Sequence, residues 1–382
     1  MPGEHEEGNA TSAPHFPHAM LREIYEQPQA IRKTIERNVE GDVIFPRALD
    51  AIEGALAAFE KIIIAASGSS RHAGLVGEIM MEDLAGVAVD TEYASEYCCR
   101  STHAGIDAIV VITQSGETVD TIAAQREALK RGATTIAISN VADSTIAREA
   151  SARLITYAAP ERAIPATKSF TAQLAILYLF SLFLARRRRH MTSETARTLL
   201  DRLAEIPADI EEYLPAWDAQ AADSARLFRQ AKVFLFIGRG AHYAIAREGA
   251  LKLKELSYVQ AEGMPAGELL HGPNALVDEA LSVVVIATRD PADPDSMLRY
   301  QKTLSVLEYV KGRGGKTIVI TTEGDRDALP FSDRVIYVPA ASELLLPLLE
   351  VVPLQLFAYH FAVLNGCNVD HPRNLVKTVV TE

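Results

Sequence analysis

The chain has 382 residues, with 38 Lys and Arg against 50 Asp and Glu, a net charge of −12, and hydrophobic residues at 48%. It is longer than the ~100–200 residues of a single domain, and its composition excludes a disordered, collagen-like or disulfide-stapled chain. The acidic balance provides no general field for nucleic acid or anionic lipid, so an anionic ligand needs a local site.

In chain order, Met1 to Pro17 is polar and acidic without an apolar core, and reads as part of a flexible tail over 1–20 and not as a signal peptide. Short β-branched runs then alternate with helical stretches, the pattern of an α/β protein whose parallel sheets are flanked by helices. Lys61–Ala66, Ala108–Ile112 and Thr134–Ile138 read as buried strands, with a helix over Thr118–Lys130 and a fourth strand over Arg153–Tyr157. Ser169–Ala185 carries no charge and precedes Arg186–Arg189, which resembles a membrane span with a positive flank. At 17 residues, with Thr171 and Gln173 inside, it is read instead as a buried core helix. Thr192–Gln230 reads as a polar helical connection.

The order then restarts with a strand at Val233–Ile237, a helix over Tyr243–Tyr258, a strand at Leu281–Ala287, a helix over Met297–Lys311 and a strand at Lys316–Thr321. Gly68-x-Ser70-x-His72 and Gly238-x-Gly240-x-His242 each follow an apolar strand and open a helix, so the chain reads as a duplication with halves at 21–215 and 216–382. Cys98, Cys99 and Cys367 form neither a metal nor a disulfide pattern and fit a reducing cytoplasm.

Two strand-to-helix turns carry the most specific chemistry. Ser67-Gly68-Ser69-Ser70 offers backbone N–H groups and hydroxyls at a helix start, which suits an anion and equally suits an ordinary N-cap. Thr113-Gln114-Ser115-Gly116-Glu117-Thr118 repeats the pattern after the neighbouring strand, and two such loops can close on one phosphate. Neither loop carries GxGxxG and no GxxxxGK[ST] is present, which leaves a monophosphorylated small molecule as the ligand class. The matching turn of the second half, Thr288-Arg289-Asp290-Pro291, lacks the glycine and gains an acid, so that copy reads as dead. Glu248, Lys252 and Glu255 share a helix face, which is either a solvated ion-pair face or a tuned acid/base group. His271 stands between glycine-containing turns, and Lys377 is either a Schiff-base amine or a terminal cation.

Glu23-Ile24-Tyr25-Glu26-Gln27-Pro28, Gln114–Thr118, Thr167-Lys168-Ser169-Phe170-Thr171, Glu248–Glu255, Gly267–Pro273 and Pro372-Arg373-Asn374-Leu375, in that order, resemble the isomerase part of glucosamine-6-phosphate synthase, a pair of sugar isomerase (SIS) domains. The resemblance implies two tandem domains of flavodoxin-like three-layer αβα build. It implies a sugar phosphate held by Ser70, Thr113, Gln114, Ser115 and Thr118, with Ser67, Gly68, Ser69, Ile164 and Ala166 as further contacts. Glu255 would move a proton between C1 and C2 with Lys252 beside it, and Lys377 would contact the open-chain sugar or form an imine with it. His271 would open the sugar ring, reaching in from the other subunit of a homodimer. No metal, cofactor, nucleic acid or membrane enters this expectation, and the expected location is the cytoplasm.

Two departures shape the expected activity. Position 2 is Pro2 and no cysteine precedes Cys98, so no glutaminase domain is expected in this chain, and Ala166 stands where the family pattern has a serine. The expectation is therefore conversion of glucosamine 6-phosphate to fructose 6-phosphate and ammonia. A fructosamine-phosphate deglycase, an aldose–ketose phosphosugar isomerase and a non-catalytic sugar-phosphate sensor are the alternatives.

Overall fold

The computed structural model describes residues 16–100 and 105–379. Helices α1 (Ala19–Tyr25) and α2 (Gln27–Asn38), the short pair β1 (Val39–Glu40) and β2 (Val43–Ile44), and α3 (Glu53–Leu56) lead into the first repeat. That repeat runs β3 (Lys61–Ala66), α4 (Gly68–Ala85), β4 (Ala88–Tyr93), α5 (Ala94–Tyr97), β5 (Ala108–Thr113), α6 (Val119–Lys130), β6 (Thr134–Ser139), α7 (Thr145–Glu149), β7 (Ala152–Ile155) and α8 (Lys168–Arg187). Helix α9 (Ser193–Leu227) connects to the second repeat, β8 (Val233–Gly238), α10 (Ala241–Ser257), β9 (Gln260–Pro265), β10 (Ser282–Ala287), α11 (Pro294–Lys311), β11 (Lys316–Thr322), β12 (Arg334–Val338) and α12 (Leu346–Leu364).

The two five-stranded sheets have the orders β4-β3-β5-β6-β7 and β9-β8-β10-β11-β12, and every pairing in them is parallel. Each sheet lies between helices, so the chain is two tandem αβα units of one topology. Because side chains alternate across a strand, each sheet divides its apolar residues between two faces. Ile62, Ile64, Val110 and Ile112 of the first sheet join Phe234, Phe236, Val284 and Ile286 of the second in a single core with the inner helices. Ile63, Ala65, Ile109 and Val111 pack outward against α6, and Leu235, Ile237, Val283 and Val285 form the corresponding outer core of the second unit.

Helices α8 and α12 are long and apolar enough to cross a membrane by length and composition, yet the apolar stretch of α8 is wholly buried inside the fold and that of α12 nearly so. Burial on all sides explains the uncharged run at Ser169–Ala185. Helix α9 is continuous over 35 residues with Pro207 and Pro215 inside it, so the boundary expected at 215/216 falls within a helix. Ala19 and Met20, expected within the tail, belong to α1. The carboxylate of Asp370 accepts the free N–H groups of Ala19 and Met20 at 2.9 and 2.8 Å, which starts α1 there with Met20 buried. Residues 1–15 of that tail lie outside the described residues.

Candidate active site

The phosphate-type loops stand side by side because β3 and β5 are neighbours in the sheet. Ser67 precedes α4, and Gly68 adopts φ +54°, which turns the chain sharply at the strand end. Ser70 Oγ accepts the Gln173 amide at 3.0 Å, while the Ser69 hydroxyl is directed away to Glu248 at 2.8 Å. In the second loop the Thr113 and Thr118 hydroxyls are 2.8 Å apart, and Ser115 Oγ accepts the Glu117 N–H at 3.2 Å. Gly116 has φ +74°, and a Cβ on it would lie 2.0 Å from Ser144 Oγ. Gly116→Ala is therefore expected to cost more than the roughly 1–2 kcal/mol of a left-handed non-glycine residue. A lowered thermal midpoint and weakened protection by inorganic phosphate would show it; an unchanged midpoint would contradict the assignment.

Helix α10 brings the second repeat to the same place. Glu248 is fully buried, accepts from Ser69 and sits 2.8 Å from His72 Nδ1 and 3.5 Å from Lys252 Nζ. Lys252 is 1% exposed and lies 2.7 Å from Glu255, whose side chain is 22% exposed. The solvated-face alternative therefore does not hold for Glu248 and Lys252. Burial disfavours the lysine charge, but Glu255 and Glu248 outweigh it and hold Lys252 well above the ordinary lysine value. Burial likewise opposes ionisation of Glu248, and Lys252, His72 and Ser69 overcome it and lower its pKa.

The segment after α12 closes one wall. Lys377 Nζ lies 2.6 Å from Glu161 and 2.7 Å from the Ala163 carbonyl, and the Val119 N–H at the start of α6 donates to the Val379 carbonyl at 3.1 Å. Glu161, fully buried in side chain, also accepts the Thr167 N–H at 2.9 Å and the Ser169 hydroxyl at 2.7 Å. Burial opposes its charge, and Lys377 with those donors holds it below the usual carboxylate range. The loop carrying Glu161 is fixed from outside: Glu23 accepts the N–H groups of Arg162 and Ala163, and Lys168 pairs with Glu26 at 2.6 Å.

Ser67, Gly68, Ser69, Ser70, Thr113, Gln114, Ser115, Thr118, Ile164, Ala166, Lys252, Glu255 and Lys377 all line one cleft of about 310 Å³. Val376 and Thr378, from the C-terminal run around Lys377, line it too, as does Glu161, which was not anticipated as a site residue. The cue for Glu161 was a lone carboxylate in the largely apolar run Ala158–Ala166. His271 does not belong to this cleft; it is exposed on the loop after β9.

A model of the SIS domain family matches residues 55–212 and 227–365. The chain belongs to the SIS domain family. Among similar SIS proteins, the glutamine–fructose-6-phosphate aminotransferases (isomerizing) of Chlorobaculum tepidum and Thermus thermophilus are 44% and 43% identical over 371 residues, 96% of this chain. The chain spans 59% of the length of those relatives. The C-terminal domain of glucosamine-fructose-6-phosphate aminotransferase from Francisella tularensis superposes with a TM-score of 0.86 at 34% identity, covering 94% of this chain and 100% of that one. Glucosamine-6-phosphate deaminase from Thermotoga maritima shares the fold, with a TM-score of 0.71 at 21% identity over 95% of this chain and 99% of that one. This SIS chain thus unites hydroxyl-rich loops from its first repeat with a buried lysine–carboxylate pair from its second.

Proposed function

We propose that the chain is an isomerising deaminase of an amino-sugar phosphate, converting glucosamine 6-phosphate and water to fructose 6-phosphate and ammonia. The observation that carries this reading is the meeting, in one cleft, of the Ser67–Ser70 and Thr113–Thr118 loops with the Lys252–Glu255 pair and Lys377. The phosphate docks on the hydroxyls and N–H groups at the two helix starts. With the sugar in open-chain form, the Glu255 carboxylate takes the C2 proton, and the electrons released form the C1–C2 double bond as O1 gains a proton. The Lys252 ammonium faces the charge developing at O1, in the manner of a preorganised electrostatic stabiliser. Glu255 then returns its proton to C1, leaving a C2 iminium. Water adds to C2 and ammonia leaves, with release of one proton that matches the one O1 took up, so atoms and charge balance. Lys377 orients the open chain from the opposite wall. The relatives are named as isomerizing aminotransferases of fructose 6-phosphate, and the reverse sequence with ammonia as nitrogen source uses the same steps.

A homodimer in which His271 serves the neighbouring cleft completes the proposal. It is supported by the exposure of His271 outside its own cleft and by Leu270 and Leu276 beside it, 40% and 57% exposed. A cytoplasmic setting is supported by Cys98, Cys99 and Cys367, all free thiols. Ala166 in the cleft wall favours a bulkier nitrogen substituent, so a fructosamine-phosphate deglycase is the second reading. The decisive assay supplies glucosamine 6-phosphate without glutamine and with a chelator present. Equal release of ammonia and fructose 6-phosphate is the expected result. Stabilisation by the sugar without any release would transfer the proposal to a deglycase or a sensor.

A further inference from the structure

The second repeat carries counterparts of the loops that form the cleft. In the first repeat the cleft lies among the loops that follow β3, β5 and β7. The same three loops in the second repeat follow β8, β10 and β12, since the sheets share one strand order. They meet on a buried ion cluster. His242, in the first turn of α10, has Nε2 3.1 Å from Glu343 and Nδ1 2.7 Å from Glu350. Arg299 Nε lies 2.7 Å from Glu343, and the Ser296 hydroxyl, in the first turn of α11, donates to the other Glu343 oxygen. Thr288, at the end of β10, donates to Glu350.

The correspondence is positional. Glu343 lies in the loop between β12 and α12, as Glu161 lies in the loop between β7 and α8. Its carboxylate reaches the start of α11, the counterpart of α6, whose preceding loop supplies hydroxyls to the first cleft. A neutral imidazole has one N–H and would set a lone pair against one of the two carboxylates, so His242 is a cation here. Burial disfavours that charge, but Glu350 and Glu343 outweigh it and raise the histidine to about 10, while His242, Ser296 and Arg299 lower Glu343 to about 2. Two carboxylates face one imidazolium and one guanidinium, so these four side chains balance in charge.

We propose that the second repeat retains an oxyanion site at the loops matching those of the first cleft and that its ligand is the chain's own Glu343 carboxylate, held by His242, Ser296 and Arg299. This rests on the fold and the ion cluster, and on the proposed function only for the identity of the first cleft's ligand. The sequence reading of this copy as dead is thereby refined: the loop around Thr288 is occupied from within. The class of external ligand the vacated site would take is a small carboxylate.

The test uses Glu343→Ala, because acetate is the fragment that substitution removes. Thermal midpoints of the full chain and the variant are measured against acetate at constant ionic strength, with chloride as the control salt. The variant is expected to lose stability and to regain at least half of the lost midpoint in a saturable acetate response, while the parent chain shows none. Matching responses of variant and parent would overturn the proposal. If Glu343→Ala does not fold, Glu343→Gln, His242→Gln and the double variant form a cycle. A double variant that loses less than the sum of the single losses supports the site, and additive losses overturn it. Neither outcome depends on turnover, so failure here and failure of the deaminase reading are separable.

Discussion

Glu255→Gln is expected to lower turnover by roughly 10²–10⁴-fold, the usual contribution of a positioned general base, while inorganic phosphate still protects the chain against heat. The reason lies in the division of labour across the cleft. The anion-type loops belong to the first repeat, whereas Glu255 reaches the cleft from α10 with its side chain partly exposed to it. The amide keeps the shape and can still accept from Lys252, but it cannot take a proton from C2. Exchange of the C2 proton with solvent deuterium reports on that step alone and should fall with turnover. Normal exchange in the variant would move the base elsewhere, and Glu161, the other cleft carboxylate, would be the next residue to replace.

The second large effect concerns His271. His271→Ala and Glu255→Gln chains, each inactive alone, are expected to recover about a quarter of the parent activity when unfolded together and refolded as an equal mixture, because half of randomly paired symmetric dimers are mixed and each carries one intact site. In such a dimer the site that keeps its own Glu255 receives His271 from the Glu255→Gln chain. No recovery, with mixed dimers demonstrated by differential tagging, would show that His271 does not serve the neighbouring cleft. The single His271→Ala variant adds a second reading: an open-chain substrate analogue should be turned over with less loss than the cyclic sugar, since ring opening is the step assigned to the imidazole.

The interior strands were legible because a parallel strand covered on both faces is a run of β-branched residues, as in Ile62-Ile63-Ile64 or Ile109-Val110-Val111-Ile112. The edge strands β4, β9 and β12 were not, since Ala-Val-Asp-Thr-Glu-Tyr at 88–93 carries the polar residues that an edge tolerates. Helix α12 was obscured by Pro347 in its first turn and Pro353 in its middle. The hydroxyl loops could be read because each is local in sequence. Glu161 could not, for its partner Lys377 lies 216 positions away, and the Glu343–His242 contact spans 101. Sequence spacing showed that Glu248, Lys252 and Glu255 share a helix face, but only the packing of α10 against α4 shows that the first two are buried.

The common interior of the two repeats limits how the molecule can breathe. With Ile64 and Phe236 in the same continuous core, a hinge that swung the units apart would expose that core to water, at about 25 cal/mol for each Å² of apolar surface. Access to the cleft is not expected from such a motion. One part of the cleft wall outside both sheets and their helices is the segment Leu375–Val379, which Lys377 ties to Glu161 and to the carbonyls of Ala163 and Ile164, and Val379 ties to the Val119 N–H. Opening of the cleft is therefore expected at this strap of a few residues, with the rigid pair of sheets as the frame it closes against.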